Sequence, residues 1–238
     1  MIIKCLDHGF VKLRNIAGPT RRLYNNDKTE RLFDADDIDV AQAARMSIDA
    51  LDSERPYADD IKLAKYLFKH AHTSPFEMIE VWIEVMVPIF VDRQMVRHRT
   101  WSRNESSGRY IVLPNKYYIP EVVGKRSKIK KQGQDSGLLI TTQEWFKEAL
   151  RDQCERSYFL YETALASDVA PEHARMILHL NHYVHWLGKV DLNNLFKFLT
   201  LRLDSTAQVE ARVYARAIVD LLQPHLPGLV DIFLEHKI

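Results

Sequence analysis

Residues 93–110, RQMVRHRTWSRNESSGRY, set five arginines and one histidine among three serines, one asparagine and one glutamate. A guanidinium group suits phosphate and carboxylate oxygens because its planar fork donates two parallel hydrogen bonds. Backbone amides in a loop rich in serine and glycine supply further donors. The composition therefore predicts a site for an anionic ligand, although a solvated basic loop with Glu105 as its counterion explains the composition equally well.

The charge of the whole chain limits what that ligand can be. The 238 residues include 33 lysines and arginines against 32 aspartates and glutamates, which gives a formal net charge of +1. A protein that coats a long nucleic acid needs a more basic surface, so the local cluster favours a small phosphorylated ligand. A nonenzymatic RNA- or DNA-binding module stays an alternative. It would purify without colour, and its affinity would fall steeply with salt.

Three histidines at three-residue spacing, His179, His182 and His185, raise a metal-dependent phosphohydrolase as a second alternative. On a helix the three would spread over about 120°, and on a strand they would not share a face. No carboxylate converges on them in the local sequence, so no metal is predicted. A phosphohydrolase of this kind would lose its activity to chelators.

Cysteine usage and hydropathy indicate the compartment. Cys5 and Cys154 are the only cysteines, and neither lies in a CxxC motif, so both are expected to be thiols in a reducing compartment. No run of about 18 apolar residues is present, and the first ten residues lack the apolar core of a secretory signal. The protein is therefore expected to be cytoplasmic, without a membrane partner.

The elements that position the basic stretch follow from the periodicity on either side of it. Alternation over residues 79–87 predicts a strand with one buried face, closed by Pro88. Residues 89–98 predict a short helix that delivers its basic end into a loop at 99–109. Other predicted elements are an opening strand within 1–13, helices at 37–48 and 59–71, and a polar, basic surface loop at 121–137.

The C-terminal half is predicted to be mainly helical. Apolar residues recur at three- and four-residue steps from Phe146 to Leu165, which is typical of a long amphipathic helix. Asp168 is a candidate N-cap, and Pro171 lies near the first turn of the next helix. A strand at 182–190 and helices at 191–203 and 205–222 follow. The prediction is one mixed α/β (α+β) domain over residues 1–238, with a central sheet flanked by helices and the long helices in the C-terminal half.

The order of the residues in the basic stretch is more specific than their composition. RHR at 97–99 is followed after seven residues by Ser107, with NE at 104–105 and GRY at 108–110. This string resembles the signature of the flavin-dependent thymidylate synthases. Four other segments are similar to segments of that family: HTSPFE at 72–77, PIFVDRQMVRHR at 88–99, PEHARMIL at 171–178 and LTLRLDSTAQVEARVYA at 199–215.

The resemblance implies an activity, a cofactor and an assembly. The activity is the reductive methylation of deoxyuridine monophosphate (dUMP) to deoxythymidine monophosphate (dTMP) in de novo dTMP biosynthesis. In the family, 5,10-methylenetetrahydrofolate donates the methylene group, and FAD reduced by NADPH supplies the hydride. A homotetramer with active sites shared between subunits is also implied, which fits the lack of a GxGxxG motif for the dinucleotide in this chain.

The resemblance also assigns roles to individual residues. Arg202 is the catalytic residue: facing the uracil ring, its charge would stabilise negative charge that develops at N3 and O4 and make C6 a better hydride acceptor. On the sequence pattern alone, Arg202 would be a surface arginine on an amphipathic helix. The implied cofactor-binding residues are His72, Ser74 (toward the FAD of a neighbouring subunit), Arg97, His98, Arg99, Glu105, Asn193 and Lys197. The implied substrate-binding residues are Gln94, Arg97, Glu105, Ser106, Ser107, Gly108, Arg109, Arg175 and Arg202.

Ser107 could act as a nucleophile or bind the nucleotide. Activation of a hydroxyl needs a base within hydrogen-bond reach, and His98, the nearest candidate in the sequence, is assigned to the flavin. Nucleotide binding is therefore the prediction for Ser107. Two residues depart from the family pattern. Lys197 stands where a neutral polar residue or histidine is common, and Asp191 stands where asparagine is common, so the flavin contacts of Asp191, Asn193 and Lys197 stay open.

Overall fold

An antiparallel sheet of five strands lies at the centre of the computed structural model, which describes residues 1–19, 35–51, 53–98, 100–127 and 134–236. The strands are β1 (Ile2–Cys5), β2 (Gly9–Ala17), β3 (Glu80–Pro88), β4 (Ser102–Glu105), β5 (Lys125–Arg126), β6 (Gln134–Asp135) and β7 (Tyr183–Asp191). The spatial order in the large sheet is β1-β2-β3-β7-β4, and β5 pairs separately with β6.

The helices pack on this sheet and on one another. They are α1 (Asp39–Arg45), α2 (Tyr57–Lys69), α3 (Ser74–Glu77), α4 (Ile89–Met95), α5 (Ile140–Ala166), α6 (Pro171–Ala174), α7 (Leu192–Leu203), α8 (Val209–Leu222) and α9 (Pro227–His236), with 3₁₀ turns at Met46–Ile48 and Arg175–Ile177. α8 packs against β1 and β2, whereas α7 packs against α8 and β7. The two longest helices of the described chain, α5 and α8, lie in the C-terminal half, as predicted.

Strand β3 carries the centre of the core. Its alternating apolar residues Val81, Ile83, Val85 and Val87 are at most 1% exposed, while the residues between them are partly exposed. Full burial of an aliphatic side chain of this size contributes about 1.5–3 kcal/mol. Because β3 also pairs with β2 on one side and β7 on the other, it gives the following helix a rigid support.

Helix α4 begins directly where β3 ends. Pro88 is both the last residue of the strand and the N-cap of the helix, since its fixed φ suits the turn. The backbone N–H of Ile89 donates to the carbonyl of His182 at 2.9 Å. The hydroxyl of Tyr214 donates to the carbonyl of Met86 at 2.9 Å. The first bond ties the start of α4 to the residue before β7, and the second ties the end of β3 to α8, so the direction in which α4 leaves the sheet is fixed.

Three elements differ from the sequence prediction. Residues 1–13 do not form one opening strand but a hairpin, β1 and the start of β2, whose turn includes Leu6 at a φ of 57°. The predicted loop 99–109 contains β4, which pairs with β7 from Ser102 opposite Lys189 to Glu105 opposite Trp186. Helix α9 was not predicted, because its apolar residues follow two prolines that mark the end of α8.

Two further predictions need correction. Asp168 does not cap a helix, since its φ is 64° and Ala170 is the N-cap of α6. The predicted loop 121–137 contains the short strands β5 and β6, and its residues 128–133 lie outside the described part of the chain.

The predicted fold class is confirmed. The chain has a mixed α/β fold in which helices flank a central antiparallel sheet. Within the described residues, no helix is both long enough and apolar enough to cross a membrane.

Candidate active site

A cleft of about 670 Å³ lies between α4 and the segment that connects α7 to α8. Its walls carry four guanidinium groups, and among the described residues that line it there is no carboxylate. We call it the arginine cleft. Its lining residues are Arg93, Gln94, Arg97, Gln134, Arg202, Ser205, Thr206, Ala207, Gln208, Val209 and Arg212. A cavity with this lining attracts anions.

Arg202, in the last turn of α7, is held by a single residue of α4. Its Nη1 donates to Oε1 of Gln94 at 3.3 Å, and its Nη2 donates to the main-chain oxygen of Gln94 at 3.1 Å. The buried Nε has no hydrogen-bond partner in the described structure. Burial lowers the pKa of Arg202, but an arginine in a protein stays protonated. The guanidinium group therefore carries a fixed positive charge and has N–H donors that remain available to a ligand.

Gln94 is itself held by a residue that the sequence did not indicate. Its side-chain amide donates to Oε1 of Gln208, at the N-cap of α8. Gln208 lies in one of the segments that resemble the family, but 114 residues separate it from Gln94. No local pattern predicts such a contact. Arg93 and Arg212 were also missed as lining residues of the cleft, although both lie within the resembling segments.

His98 lies just after α4, with its ring against α7. The ring meets Phe198 edge-on at a centroid distance of 4.8 Å, and its Nε2 is buried without a partner among the described residues. Burial, and secondarily the charge of Arg202, lower the pKa of His98. The imidazole is therefore neutral near pH 7. Arg97 is exposed and lines the arginine cleft, whereas Arg99 lies outside the described residues.

The serine loop, residues 106–109, follows β4 and lies against β7. The backbone N–H and the hydroxyl of Ser106 donate to the carbonyl of His185 at 2.9 and 3.0 Å. The hydroxyl of Ser107 accepts from the N–H of Arg109 at 3.3 Å. A Cβ at buried Gly108 would lie 2.9 Å from Leu113 Cδ1 and 3.4 Å from Arg175 Cδ. A larger residue at position 108 would require the side chain of Leu113 to shift, and the side chain of Arg175 lies beside the loop.

Glu105, at the end of β4, belongs to a charged network. Arg103 donates to Glu105 at 3.3 Å and to Asp92 at 3.0 Å, and its guanidinium lies 4.2 Å from the ring centroid of Trp186. Partial burial and the charge of Asp92 raise the pKa of Glu105, while Arg103 and Arg175 act in the opposite direction. Glu105 and Ser106 line a pocket of about 460 Å³ together with Glu84 and other residues of the sheet.

Three of the predicted flavin-binding residues meet in a third cavity. This apolar pocket of about 390 Å³ lies between α2, α3 and α7 and has aromatic walls. Its lining residues are Leu67, Phe68, Ala71, His72, Thr73, Phe76, Asn193, Phe196, Lys197, Thr200, Leu201 and His236. Ser74 begins α3 and is exposed.

The three residues whose flavin contacts stay open have different surroundings. Asp191 caps α7, because its carboxylate accepts from the backbone N–H of Asn194 at 2.9 Å and from the side-chain amide of Asn194 at 2.7 Å. The side-chain amide of Asn193 donates to Glu77 at 3.1 Å. Lys197 is exposed and has its side chain at the apolar pocket.

Within one chain, the residues of the predicted site lie on three separate surfaces. Gln94, Arg97 and Arg202 line the arginine cleft, whose described lining includes neither Ser107 nor Arg175. The serine loop and Arg175 form a second group beside β7, and the apolar pocket is the third.

The three regularly spaced histidines have separate partners. His179 contacts the carbonyl of Gln153 at 3.2 Å, and His185 contacts Glu84 at 2.9 Å. His182 is buried, which lowers its pKa to about 4. In the parts of the chain that the structure describes, no three histidine, cysteine or carboxylate side chains lie close enough to hold a metal ion.

Both cysteines are buried thiols. Burial raises the pKa of Cys5 to about 12 and also raises the pKa of Cys154. A thiol with a raised pKa is a poor nucleophile because the thiolate is the reactive form.

The chain is similar to known proteins in sequence and in fold. The family model described as thymidylate synthase complementing protein matches residues 31–228. The flavin-dependent thymidylate synthase of Thermus thermophilus is 40% identical over 236 residues, which cover 99% of this chain and 79% of that protein. The flavin-dependent thymidylate synthase of Wolbachia pipientis wMel is 37% identical over 235 residues, which cover 98% of this chain and 76% of that protein.

A solved structure has the same fold. The UMP/dUMP methylase PolB from Streptomyces cacaoi, bound with 5-Br dUMP, superposes with a TM-score of 0.81 at 24% identity and covers 99% of this chain and 98% of that one. The match of the family model and the identity to full-length relatives confirm the predicted resemblance. The chain belongs to the flavin-dependent thymidylate synthase family.

Proposed function

We propose that this chain converts dUMP to dTMP by reductive methylation, with 5,10-methylenetetrahydrofolate as methylene donor, NADPH as reductant and FAD as cofactor. Membership of the family supports this reaction. The observation that carries the proposal is the environment of Arg202. Its guanidinium is fixed by neutral oxygens of Gln94 in a cleft whose described lining has no carboxylate.

The neutral partners of Arg202 leave its charge available to a ligand. A carboxylate partner would cancel the field of the guanidinium, whereas an amide oxygen orients it at little electrostatic cost. In the proposed reaction, Arg202 stabilises negative charge that develops at N3 and O4 of the uracil ring. This polarisation makes C6 a better hydride acceptor, and because the charge is fixed in advance, it needs no reorganisation during the reaction.

The serine loop is the proposed nucleotide-binding segment. Arg109 and Arg175 supply guanidinium groups for the phosphate, and the side chain of Arg175 lies beside Gly108 of the loop. The Ser107 hydroxyl contacts the N–H of Arg109, and among the described residues no imidazole is bonded to it. This surrounding favours nucleotide binding by Ser107 over nucleophilic attack.

The apolar pocket and His98 fit a flavin. Apolar, aromatic walls with a few polar groups are typical of sites for planar ring systems, and His72, Asn193 and Lys197 are among the polar groups here. The buried, unpartnered Nε2 of His98 leaves a hydrogen-bonding group for a ligand. When bound, FAD supplies the hydride of the reaction. The roles of the protein are to bind and orient FAD beside the nucleotide and to exclude water.

A homotetramer with shared sites is part of the proposal. The arginine cleft and the serine loop both carry predicted nucleotide residues, yet they are separate surfaces of one chain. Two copies can bring the cleft of one subunit to the loop of another, with Ser74 meeting the FAD of the neighbour. The proposed setting is the cytoplasm, in de novo dTMP biosynthesis.

Product analysis tests the proposed function. FAD-saturated protein is incubated with dUMP, methylenetetrahydrofolate and NADPH, and dTMP is quantified by chromatography. We expect dTMP in the complete mixture and none when any one component is omitted. The protein should purify yellow and keep its activity in the presence of chelators, unlike the two alternatives. Folded, FAD-saturated protein that forms no dTMP in the complete mixture contradicts the proposal.

A further inference from the structure

Two glutamines connect Arg202 to the start of α8. Arg202 donates to Oε1 of Gln94 at 3.3 Å, and the amide nitrogen of Gln94 donates to Oε1 of Gln208. All three residues line the arginine cleft. The chain of bonds therefore runs from the loop before α8, through α4, to the catalytic arginine proposed above on α7.

The orientation of the Gln94 amide decides whether its side chain can accept from Arg202, which also donates to the main-chain oxygen of Gln94. A glutamine amide has one acceptor oxygen and one donor NH₂, and the two ends can exchange by a flip. With the flipped orientation, the NH₂ of Gln94 would face the guanidinium, which has donors only. In the structure, Oε1 of Gln208 accepts from the NH₂ of Gln94, and the oxygen of Gln94 is thereby placed toward Arg202.

The position of Gln208 in α8 supports a role outside its own helix. Gln208 is the N-cap residue of α8, where Ser, Thr, Asp and Asn are favoured because their short side chains cap the free N–H groups. The side chain of Gln208 makes no capping hydrogen bond. It extends instead to Gln94, 114 residues away in the sequence.

We propose that Gln208 is a positioning residue for the reaction: it orients the Gln94 amide and, through it, the guanidinium of Arg202. The proposal rests on the function proposed above and adds a residue that acts without touching the reacting atoms. A neutral amide suits this role because it fixes the geometry without placing a negative charge beside Arg202. A change at Gln208 should therefore affect turnover more than nucleotide affinity or folding.

The substitution Gln208→Asn separates positioning from stability. Asparagine is a favoured N-cap residue, so α8 should be as stable as before or more stable. Its side chain is one methylene shorter and does not reach Gln94. We expect kcat to fall roughly 10- to 100-fold, as for other small misplacements of catalytic groups, while the KM for dUMP changes by about threefold or less. Gln208→Ser, a second favoured N-cap, should repeat the loss.

The matched control is Gln223→Asn. Gln223 lies at the other end of α8, where its amide donates to Asp231 at 2.9 Å, outside the arginine cleft. This variant should keep the wild-type kcat. A double-mutant cycle with Arg202→Ala tests the pathway, because residues that act through one another are not additive. In the Arg202→Ala background, Gln208→Asn should change the remaining kcat by less than about twofold.

Two results would overturn the role of Gln208. One is a wild-type kcat in both Gln208→Asn and Gln208→Ser. The other is a loss that multiplies fully with that of Arg202→Ala, since independent effects multiply. Both results require that the wild-type chain is active. A wild-type chain that forms no dTMP would contradict the proposed function instead, so the two failures can be distinguished.

Discussion

Arg202 is held by two oxygens of one glutamine and, within the described chain, by no carboxylate. Arginines in protein interiors are commonly paired with carboxylates, which compensate the cost of burying the charge. Arg202 has no carboxylate partner among the described residues to compensate this cost, and burial lowers its pKa as a result. A binding partner with negative charge would offset the cost. This is the residue-level reason to expect an anionic group, such as a polarised uracil ring, at Arg202.

The substitution Arg202→Ala tests this reading. Removal of one stabilising donor in an active site typically costs about 2.7–4 kcal/mol, which is roughly a hundred- to a thousandfold in rate. We expect this loss in kcat at saturating substrates, with unchanged FAD binding in a titration of flavin absorbance. Arg216→Ala is the control, since Arg216 is an exposed arginine of α8 that does not line the cleft. Near-normal turnover of Arg202→Ala would remove this residue from the mechanism.

Ser107→Ala distinguishes nucleotide binding from nucleophilic catalysis. A hydrogen bond to a charged ligand contributes about 1.5–3 kcal/mol, so we expect a higher KM for dUMP and a rate that saturating dUMP largely restores. Steady-state kinetics over a range of dUMP concentrations measures both quantities. Ser102→Ala, on the exposed part of β4, is the control. If Ser107→Ala bound dUMP normally but had lost all turnover, the result would support Ser107 as a nucleophile instead.

At the residue scale, the sequence predicts what is local and misses what is distant. Gln94, Arg97 and Arg202 were predicted from motifs, and they meet at one cleft. Gln208 was missed because its contact with Gln94 spans 114 residues. The use of Asp191 as the N-cap of α7 was also missed, although the acceptor and Asn194 are only three residues apart.

At the scale of elements, the start of β7 and the start of α4 form one junction. His182 precedes β7, and its carbonyl accepts from the N–H of Ile89 at the beginning of α4 at 2.9 Å. Its ring is buried, and Nε2 has no partner in the described structure. Burial alone lowers the pKa of His182 to about 4. The folded chain therefore disfavours the protonated ring. Acid should destabilise the junction between β7 and α4, which sets the direction of α4.

The pH dependence of stability tests this junction. The unfolded chain binds a proton at His182 near pH 6.5, whereas the folded chain does so only near pH 4, so stability is full above pH 6.5 and falls as the pH drops toward 4. From pH 7 to pH 5 this one group should remove about 2 kcal/mol from the free energy of unfolding. Urea denaturation of the wild type and of His182→Phe at both pH values measures the difference.

His182→Phe keeps a ring in the junction but cannot be protonated. The variant should lose about 2 kcal/mol less than the wild type between the two pH values. The control is His179→Gln, because His179 is exposed and should leave the wild-type pH dependence in place. An identical pH dependence for the wild type and His182→Phe would mean that His182 is not held neutral by burial.

The sequence predicted regular elements better than their connections. The alternation that marked β3 and the periodicity that marked α5 and α7 depend on burial of one face, which the pattern of residues records directly. The hairpin between β1 and β2 turns at Leu6, a residue type that gives no turn signal. β4 is polar along its length, with only Arg103 partly buried, so its pairing with β7 left no hydropathy pattern.

At the scale of the whole molecule, the comparisons confirm the predicted family and its enzyme class. Assembly stays a prediction, and the surface beside the serine loop supports it. Tyr110 is 79% exposed and Met176 is 75% exposed, and both lie next in sequence to arginines proposed to bind the nucleotide. Large apolar side chains exposed around a binding site are typical of an interface, so a second copy is expected to cover them.

The mixing of two impaired variants, assayed at a dUMP concentration at which each alone forms little dTMP, tests a site shared between subunits most directly. Arg202→Ala alters the arginine cleft, and Arg175→Ala alters the surface beside the serine loop. If each site takes its cleft from one chain and its loop from another, random exchange of subunits leaves about a quarter of the sites intact. Each variant is assembled alone, then mixed in equal amounts with the other under conditions of subunit exchange, and dTMP formation is followed. We expect the mixture to regain about a quarter of the wild-type activity. Failure of the mixture to exceed the separate variants, while light scattering shows tetramers that have exchanged subunits, would contradict a shared site.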